Sequence, residues 1–510
     1  MVAGAAPTHS TRQWAWLANL SDVGRALCTY LIVPNVIFLV GGAFVFLARP
    51  TFNADYLLLG CAAPFLSRRN VAIAFAILLG NDCLVSLAPA FHFDLSTGAV
   101  PITGSLTSRL LLYPLTIAMA IAIVLVSVLA ERLGRTSGRR LERITLLTTT
   151  ALVILLDVIA GTNSVQRTDG GVFGFNIATS TLYRSALGLY RAISSSRSAT
   201  ISATITPILS ATAALREVVD SDPKGMTPPV QNIVLVVVES FGHFRRPSSD
   251  SMLLEPLLNP AIRDHYEVRA GVVPAHGATT SGEIRELCGV RGDFLFVRRI
   301  STTSCLPAVL AREGYHTSAF HGYSRGLYDR MTWYPRVGFQ QLWFGEDLAR
   351  MPNMKLCGTT FHGVCDDDVS RVIEQELASP RADERHFIYW LTLDSHLPVD
   401  GTNIPISGFV CESLPETQLF ADVCGLVRLH RRILLTVARW AMRQDIAPTR
   451  FIVVGDHAPP FFSRHKRSLF APDEVPFVEL IPKIGMKSLS QLSATGKTSG
   501  ASRLPRPGTR

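Results

Sequence analysis

No C-x-x-C pair occurs among the nine cysteines of this 510-residue chain, which argues against a zinc ribbon and against a thioredoxin-type redox motif. A removable export signal is also missing. The polar stretch before the first apolar run is long, and the run itself reads as a retained anchor. Lys and Arg are absent from residues 92–107, which assigns that loop to the side of a membrane that basic residues avoid. The triplet Gly496, Lys497, Thr498 resembles the end of a phosphate-binding loop. It lacks the leading glycine, because Gln491 stands there, and no strand precedes it.

What is abundant is apolar. Hydrophobic residues make up 48% of the chain and the mean hydropathy is +0.26, too high for an ordinary soluble protein. The runs 27–48, 71–91, 110–130 and 144–161 each approach the ~20 residues that cross a bilayer, and the shorter run 56–66 is counted as a fifth span. Arg68 and Arg69 follow the second span, and Arg132, Arg135, Arg139, Arg140 and Arg143 fall between the fourth and fifth. Five spans with the N-terminus inside put every one of these arginines in the cytoplasm and export everything after residue 161. Six cysteines (288, 305, 357, 365, 411 and 424) belong to that exported part. An even number there suggests disulfides; pairing of neighbours, 288 with 305, 357 with 365 and 411 with 424, is the expectation. The 49 basic residues against 40 acidic ones give a net charge of +9. That balance suits an anionic surface or substrate, and the apolar first third favours a bilayer and its phospholipid over nucleic acid.

These features divide the chain into a cytoplasmic N-terminus (1–25), a transmembrane domain (26–161), a linker (162–230), an exported catalytic domain (231–485) and a disordered basic tail (486–510). Within the linker, residues 181–193 suit an interfacial amphipathic helix and a helix packed on the next domain equally well. The turn-forming stretch 220–229 marks the boundary.

Past that boundary short β-rich runs alternate with helix-like segments, as in an α/β domain with a largely parallel sheet. Four runs finish on metal-capable or proton-transferring residues: 232–238 on Glu239, 316–320 on His321, 387–393 on Asp394 and His396, and 451–455 on Asp456 and His457. Ligands bind beyond the carboxyl ends of strands in open α/β sheets. One such strand end is commonly a turn residue; four together point to a site. Glu239, Asp456 and His457 form a mixed oxygen and nitrogen donor set suited to one divalent metal, Mn2+ or Zn2+, and poorly suited to Ca2+.

Residues 276–289 set two threonines before a helix-like stretch. Thr280 with Glu283 fits a capping box, while a threonine hydroxyl on the metal would become nucleophilic. The two readings are compatible if one threonine caps and its neighbour meets the metal. The segments NIVLVVVESFG, TTSGEIRELCG, AFHGYSRGLYDRMTWYPRVGF, LTLDSHLP and VVGDHAPP resemble, in order and spacing, the lipoteichoic acid synthase type of phosphoglycerol transferase. That family lies in the alkaline phosphatase and sulfatase superfamily, and phosphoethanolamine transferases are close relatives. The resemblance spans residues 231–475 and extends to a five-span anchor.

It implies an α-helical membrane domain followed by an α/β/α alkaline-phosphatase-like domain. It makes Glu239, Thr279, Asp456 and His457 the metal ligands, Thr279 the nucleophile, and His396 a catalytic and substrate-binding histidine. His321, Tyr328 and Arg330 become substrate contacts, with Tyr328 standing where these synthases carry tryptophan. The expected reaction takes a head group from an anionic or zwitterionic phospholipid to a hydroxyl of a cell-envelope glycan or lipid, at a bacterial plasma membrane. Rival activities are phosphoethanolamine transfer and hydrolysis by a phosphodiesterase or sulfatase. Sulfate-ester chemistry needs C/S-x-P-x-R, and Val309 occupies the arginine place of the nearest match, 305–309.

Overall fold

The computed structural model of the chain describes residues 22–44, 52–87, 140–159, 178–182, 185–186, 206–221, 230–292, 294–297, 300–358, 361–378, 384–399, 414, 420–461 and 463–483. They fall into two units.

The first unit is helical. A π-helical turn, Cys28–Ile32, runs into α1 (Val33–Phe44); α2 (Ala54–Ala62), α3 (Arg68–Leu87) and α4 (Arg140–Ile159) follow. Two stretches among the described residues are long and apolar enough to cross a membrane, Asp22–Leu39 and Arg68–Ser86. Among the described residues, two of the five expected spans therefore meet the length and composition of a membrane helix. The run at 56–66 falls within a short helix, Ala54–Phe65; at 1.5 Å per residue it reaches ~18 Å, well short of a ~30 Å hydrocarbon core. It also starts on buried polar groups. Asn53 Oδ1 accepts from Asp55 N at 3.0 Å, and the Asp55 carboxylate accepts from Ser180 Oγ at 2.6 Å, Thr181 Oγ1 at 3.1 Å and Leu182 N at 2.9 Å. A two-residue parallel pairing of β1 (Phe52–Asn53) with β2 (Ala178–Thr179) supports that network. The described part of the run at 144–161, up to Ile159, lies in α4, whose sequence opens with Arg140, Glu142 and Arg143. Residues 110–130 and the tail 486–510 lie outside the described residues, as does most of 181–193.

The second unit begins with α5 (Ala213–Ser221) and holds, besides a short antiparallel pairing of β7 (Leu356–Cys357) with β8 (Gly363–Val364), a seven-stranded sheet of order β4-β11-β10-β3-β9-β5-β6. Five strands are parallel: β10 (Thr449–Gly455), β3 (Asn232–Val238), β9 (Arg385–Leu391), β5 (Tyr315–His321) and β6 (Gln341–Trp343). Two antiparallel strands, β11 (Glu474–Pro482) and β4 (Tyr266–Pro274), close one edge.

Strand β3 has no polar face because helices cover both sides, as continuous Val and Ile runs in parallel sheets require. Val234, Val236 and Val238 pack with α6 (Pro247–Leu258), α9 (Asp366–Leu377) and α10 (Ala421–Ala441). Ile233, Leu235 and Val237 pack with α7 (Thr279–Cys288), together with Leu306 and Leu310. The helix α8 (Arg330–Arg336) adds Trp333 and Tyr334 to that second layer. The result is an α/β/α sandwich with a mostly parallel sheet.

Two of the expected disulfides are present, Cys288–Cys305 and Cys357–Cys365. Cys424 is disulfide-bonded as well, while Cys411 lies outside the described residues. Cys28, Cys61 and Cys83 form no disulfide among the described residues.

Candidate metal centre and nucleophile

Strands β3 and β10 are parallel neighbours, with Val238 paired to Gly455. Their ends therefore deliver Glu239, Asp456 and His457 to one place. The three residues are buried and their ligand atoms lie within 4.8 Å of one another. His457 Nε2 is 3.2 Å from Asp456 Oδ2 and 3.6 Å from Glu239 Oε1.

The local backbone fixes each donor. Glu239 N donates to Thr392 Oγ1 at 2.9 Å, and Glu239 O accepts from Ser395 Oγ at 2.6 Å and lies 3.1 Å from His430 Nε2. Ser240, with φ at 56°, turns the chain so that its hydroxyl donates to Glu239 Oε1 at 2.9 Å and its N–H to Asp456 Oδ1 at 2.8 Å. Asp456 Oδ1 also accepts from His457 N at 2.6 Å. Asp456 Oδ2 is buried and accepts no hydrogen bond among the described residues, an orphan that a cation would satisfy. His457 Nδ1 faces Ala458 O at 3.0 Å. With the proton on Nδ1, the Nε2 lone pair points into the cluster, the arrangement usual for a metal-bound histidine. The donor set thus fits a divalent cation.

Thr279 reaches the same cluster from the start of a helix, α7. Gly277, in the left-handed region with φ at 66°, turns the chain into α7. Thr279 Oγ1 donates to Glu239 Oε2 at 3.1 Å and lies 3.4 Å from His457 Nε2. Gly282, one turn on, permits this approach: a Cβ there would stand 2.8 Å from Asp456 Cα and O.

The capping box is overturned. Helix α7 starts at Thr279 with Ala278 as its N-cap and no side-chain cap, and Glu283 is engaged elsewhere. Its Oε2 accepts from Arg330 Nη2 at 2.9 Å and Nε at 3.3 Å, and its Oε1 accepts from Tyr389 Oη at 3.1 Å and from Tyr334 Oη. Tyr334 and Tyr389 were not anticipated. They lie 51 and 106 residues from Glu283, and the capping-box spacing masks the real partners. Arg330 is 1% exposed. Its Nη1 has no hydrogen-bond partner among the described residues, and its guanidinium lies 5.2 Å from the Tyr328 ring. His321, at the end of β5, is buried, with Nδ1 3.1 Å from Leu391 O. His396 is half-buried, with Nδ1 2.8 Å from Leu397 O and its ring against Phe361 at 4.2 Å.

Burial would raise the Glu239 carboxyl, but His396, His457 and two hydroxyls outweigh it and hold the group below its ordinary value. Asp456 goes the other way, raised well above by burial and by the neighbouring Glu239 charge. His396 and His457 are lowered by burial. His321 is lowered by burial and by Arg330. All three imidazoles are therefore neutral near pH 7. Tyr328 is raised by burial to about 12 and stays a phenol.

Residues 231–478 match the family model of the sulfatases. That match covers 248 residues, just under half of the chain. Among solved structures, this chain is similar to the lipoteichoic acid synthase LtaP from Listeria monocytogenes, with 13% identity over 53% of this chain and 72% of that one, TM-score 0.37. It is similar also to the phosphoglycerol transferase GacH from Streptococcus pyogenes in complex with sn-glycerol-1-phosphate, with 17% identity over 52% and 72%, TM-score 0.37. A third is the C-terminal periplasmic domain of EcEptC from Escherichia coli in complex with Zn, with 13% identity over 50% and 74%, TM-score 0.34. No curated protein sequence matches significantly.

Proposed function

We propose that the chain is a membrane-anchored, metal-dependent transferase that moves a phosphoglycerol-type head group from a phospholipid to a hydroxyl of a cell-envelope glycan or lipid. The observation that carries this reading is Thr279. Its hydroxyl lies within hydrogen-bonding reach of Glu239 and His457, on the first residue of α7, where helix N–H groups favour a phosphate. A bound Mn2+ or Zn2+, held by Glu239, Asp456 and His457, would supply Lewis acidity there.

In the first half-reaction Thr279 Oγ1 bonds to phosphorus, the P–O bond to diacylglycerol breaks, and the threonine proton leaves with diacylglycerol as its hydroxyl. In the second, the acceptor oxygen bonds to phosphorus, the Thr279 ester breaks, and the acceptor proton returns to Thr279. His396 is the proton carrier: with Nδ1–H given to Leu397 O, its neutral Nε2 accepts. Arg330, with Nη1 unengaged, neutralises the nonbridging oxygens.

Phosphoglycerol is favoured over phosphoethanolamine because Arg330 Nη1, unengaged among the described residues, can donate to the hydroxyls of a glycerol head group, whereas an ammonium offers it no acceptor. Sulfate-ester hydrolysis is disfavoured because Cys305, which would have to become the formylglycine, is bonded to Cys288. Two disulfides suit an exported domain, and the spans Asp22–Leu39 and Arg68–Ser86 suit an anchor in a bacterial plasma membrane.

The test is intact mass spectrometry of the full chain in detergent with Mn2+, incubated separately with phosphatidylglycerol and phosphatidylethanolamine. The expected result is a glycerophosphoryl adduct on Thr279 from phosphatidylglycerol, absent from Thr279→Ala. An adduct from phosphatidylethanolamine alone reassigns the head group; lipid turnover undiminished in Thr279→Ala overturns the mechanism.

A further inference from the structure

Arg285 is fully buried, its charge met by Glu286 and its terminal nitrogens turned to main-chain oxygens. One terminal nitrogen donates to Gly455 O at 2.5 Å; the other donates to Pro274 O at 3.1 Å and to Asp456 O at 3.4 Å. Nε donates to Glu286 Oε1 at 2.6 Å. The guanidinium therefore joins the second turn of α7 to the end of β10, from which two metal ligands project, and to the end of β4, from which the chain enters α7. Thr279, Gly282 and Arg285 recur every three residues along one side of the helix. The first touches the metal ligands, the second abuts the Asp456 backbone and the third bonds its carbonyl. Only a planar fork reaches carbonyls from two strands at once.

Glu286 is itself held from outside. Its Oε2 accepts from Thr212 N at 3.2 Å, and its main-chain oxygen accepts from Thr212 Oγ1 at 2.8 Å and Arg216 Nη2 at 2.5 Å. Just upstream, Ile208 N donates to Gly289 O at 3.0 Å, and Arg291 N donates to Thr206 O at 2.8 Å. The stretch Thr206–Arg216 is thus laced to α7 and to its exit.

Resting on the reading of Glu239, Asp456 and His457 as a metal centre, we propose that Arg285 is a positioning residue that fixes the Thr279 helix against the metal-bearing end of β10, with Thr206–Arg216 as its outer support. It sets the distance between nucleophile and cation without touching either. Partners one step removed from a metal commonly change its affinity 10–100-fold when replaced.

The test titrates full-length chain in detergent with Mn2+, reads free Mn2+ by electron paramagnetic resonance, and records thermal unfolding in parallel. Arg285→Lys keeps the charge and loses the bridge; its Kd for Mn2+ is expected to rise about tenfold or more. The pair Cys288→Ser/Cys305→Ser, which removes a cross-link from the far end of the same helix, is expected to melt earlier with its Kd unchanged. Should Arg285→Lys not accumulate, Glu286→Gln, which leaves the guanidinium without its counter-charge, is read in the same way. Wild-type Kd in the Arg285 or Glu286 variant overturns the proposal, as does an equal loss of affinity in the cysteine variant. Wild-type chain whose Mn2+ binding is untouched by Glu239→Gln overturns the metal centre itself, and the proposal with it.

Discussion

Glu239 and Asp456 are neighbours with opposite shifts, one carboxyl lowered and the other raised. Repulsion between two carboxylates so placed holds a proton on Asp456 more tightly than on an ordinary carboxyl. A bound cation favours the charged form. Calorimetric titration with Mn2+ in buffers of different ionisation enthalpy is expected to report proton release that grows as the pH is lowered. Asp366 and Asp394 form a second carboxyl pair. Asp366 accepts from Leu393 N and Asp394 N, and Asp394 Oδ2 accepts from Asp366 N at 3.1 Å, while Asp394 Oδ1 is left without a partner among the described residues. Burial raises Asp394 to about 6. A raised folded value means that the native state binds the extra proton, so the favourable contribution is complete below the unfolded value of about 3.9 and is lost as pH rises through 6. Asp394→Asn is therefore expected to be more stable than wild type by about 1–3 kcal/mol at pH 7–8, with no gain at pH 4. Thermal melts across that range decide it.

At the scale of elements, the site depends on how closely α7 lies along the end of β10. A Cβ at Gly282 would press on Asp456 backbone, which has no flexible end to move aside. Gly282→Ala is expected to cost about 1–3 kcal/mol in stability and most of the Mn2+ affinity, as measured by unfolding and metal titration. The parallel strands themselves were legible from their Val, Ile and Phe runs. The expected stretches 232–238, 316–320, 387–393 and 451–455 fall on β3, β5, β9 and β10 within two residues at either end. Glu239, His321, His396, Asp456 and His457 follow from where those runs stop. The antiparallel edge β11-β4 was not read, because β4 has a mostly exposed pattern and no buried run to announce it. Glu283 was misread because three residues of sequence spacing describe a cap as well as they describe a buried acid bound by Arg330, Tyr334 and Tyr389. Only the tertiary fold brings those partners together. The apolarity of residues 56–66, likewise, belongs to a short helix that buries Tyr56, Leu57 and Leu59 and leaves Leu58 and Phe65 exposed.

For the whole molecule, stability has two separable sources beyond the apolar core. The disulfides close separations of 17 and 8 residues, worth about 2–3 kcal/mol each by loop entropy. A metal at a hundred times its Kd adds about 2.7 kcal/mol to the state that binds it. Chelator and reductant are each expected to lower the unfolding midpoint of the sulfatase-type domain, and Glu239→Gln is expected to abolish the response to chelator while keeping the response to reductant. A melt insensitive to both would contradict the assignment of these two sources.

The pairing of β3 with β10 joins Glu239 to residues more than two hundred positions further along the chain. During synthesis, then, a polypeptide halted between residues 280 and 456 already possesses Glu239 and Thr279 but lacks the histidine that completes the cluster. The cluster is whole only once β10, the fifth parallel strand in chain order, has been made and has paired with β3.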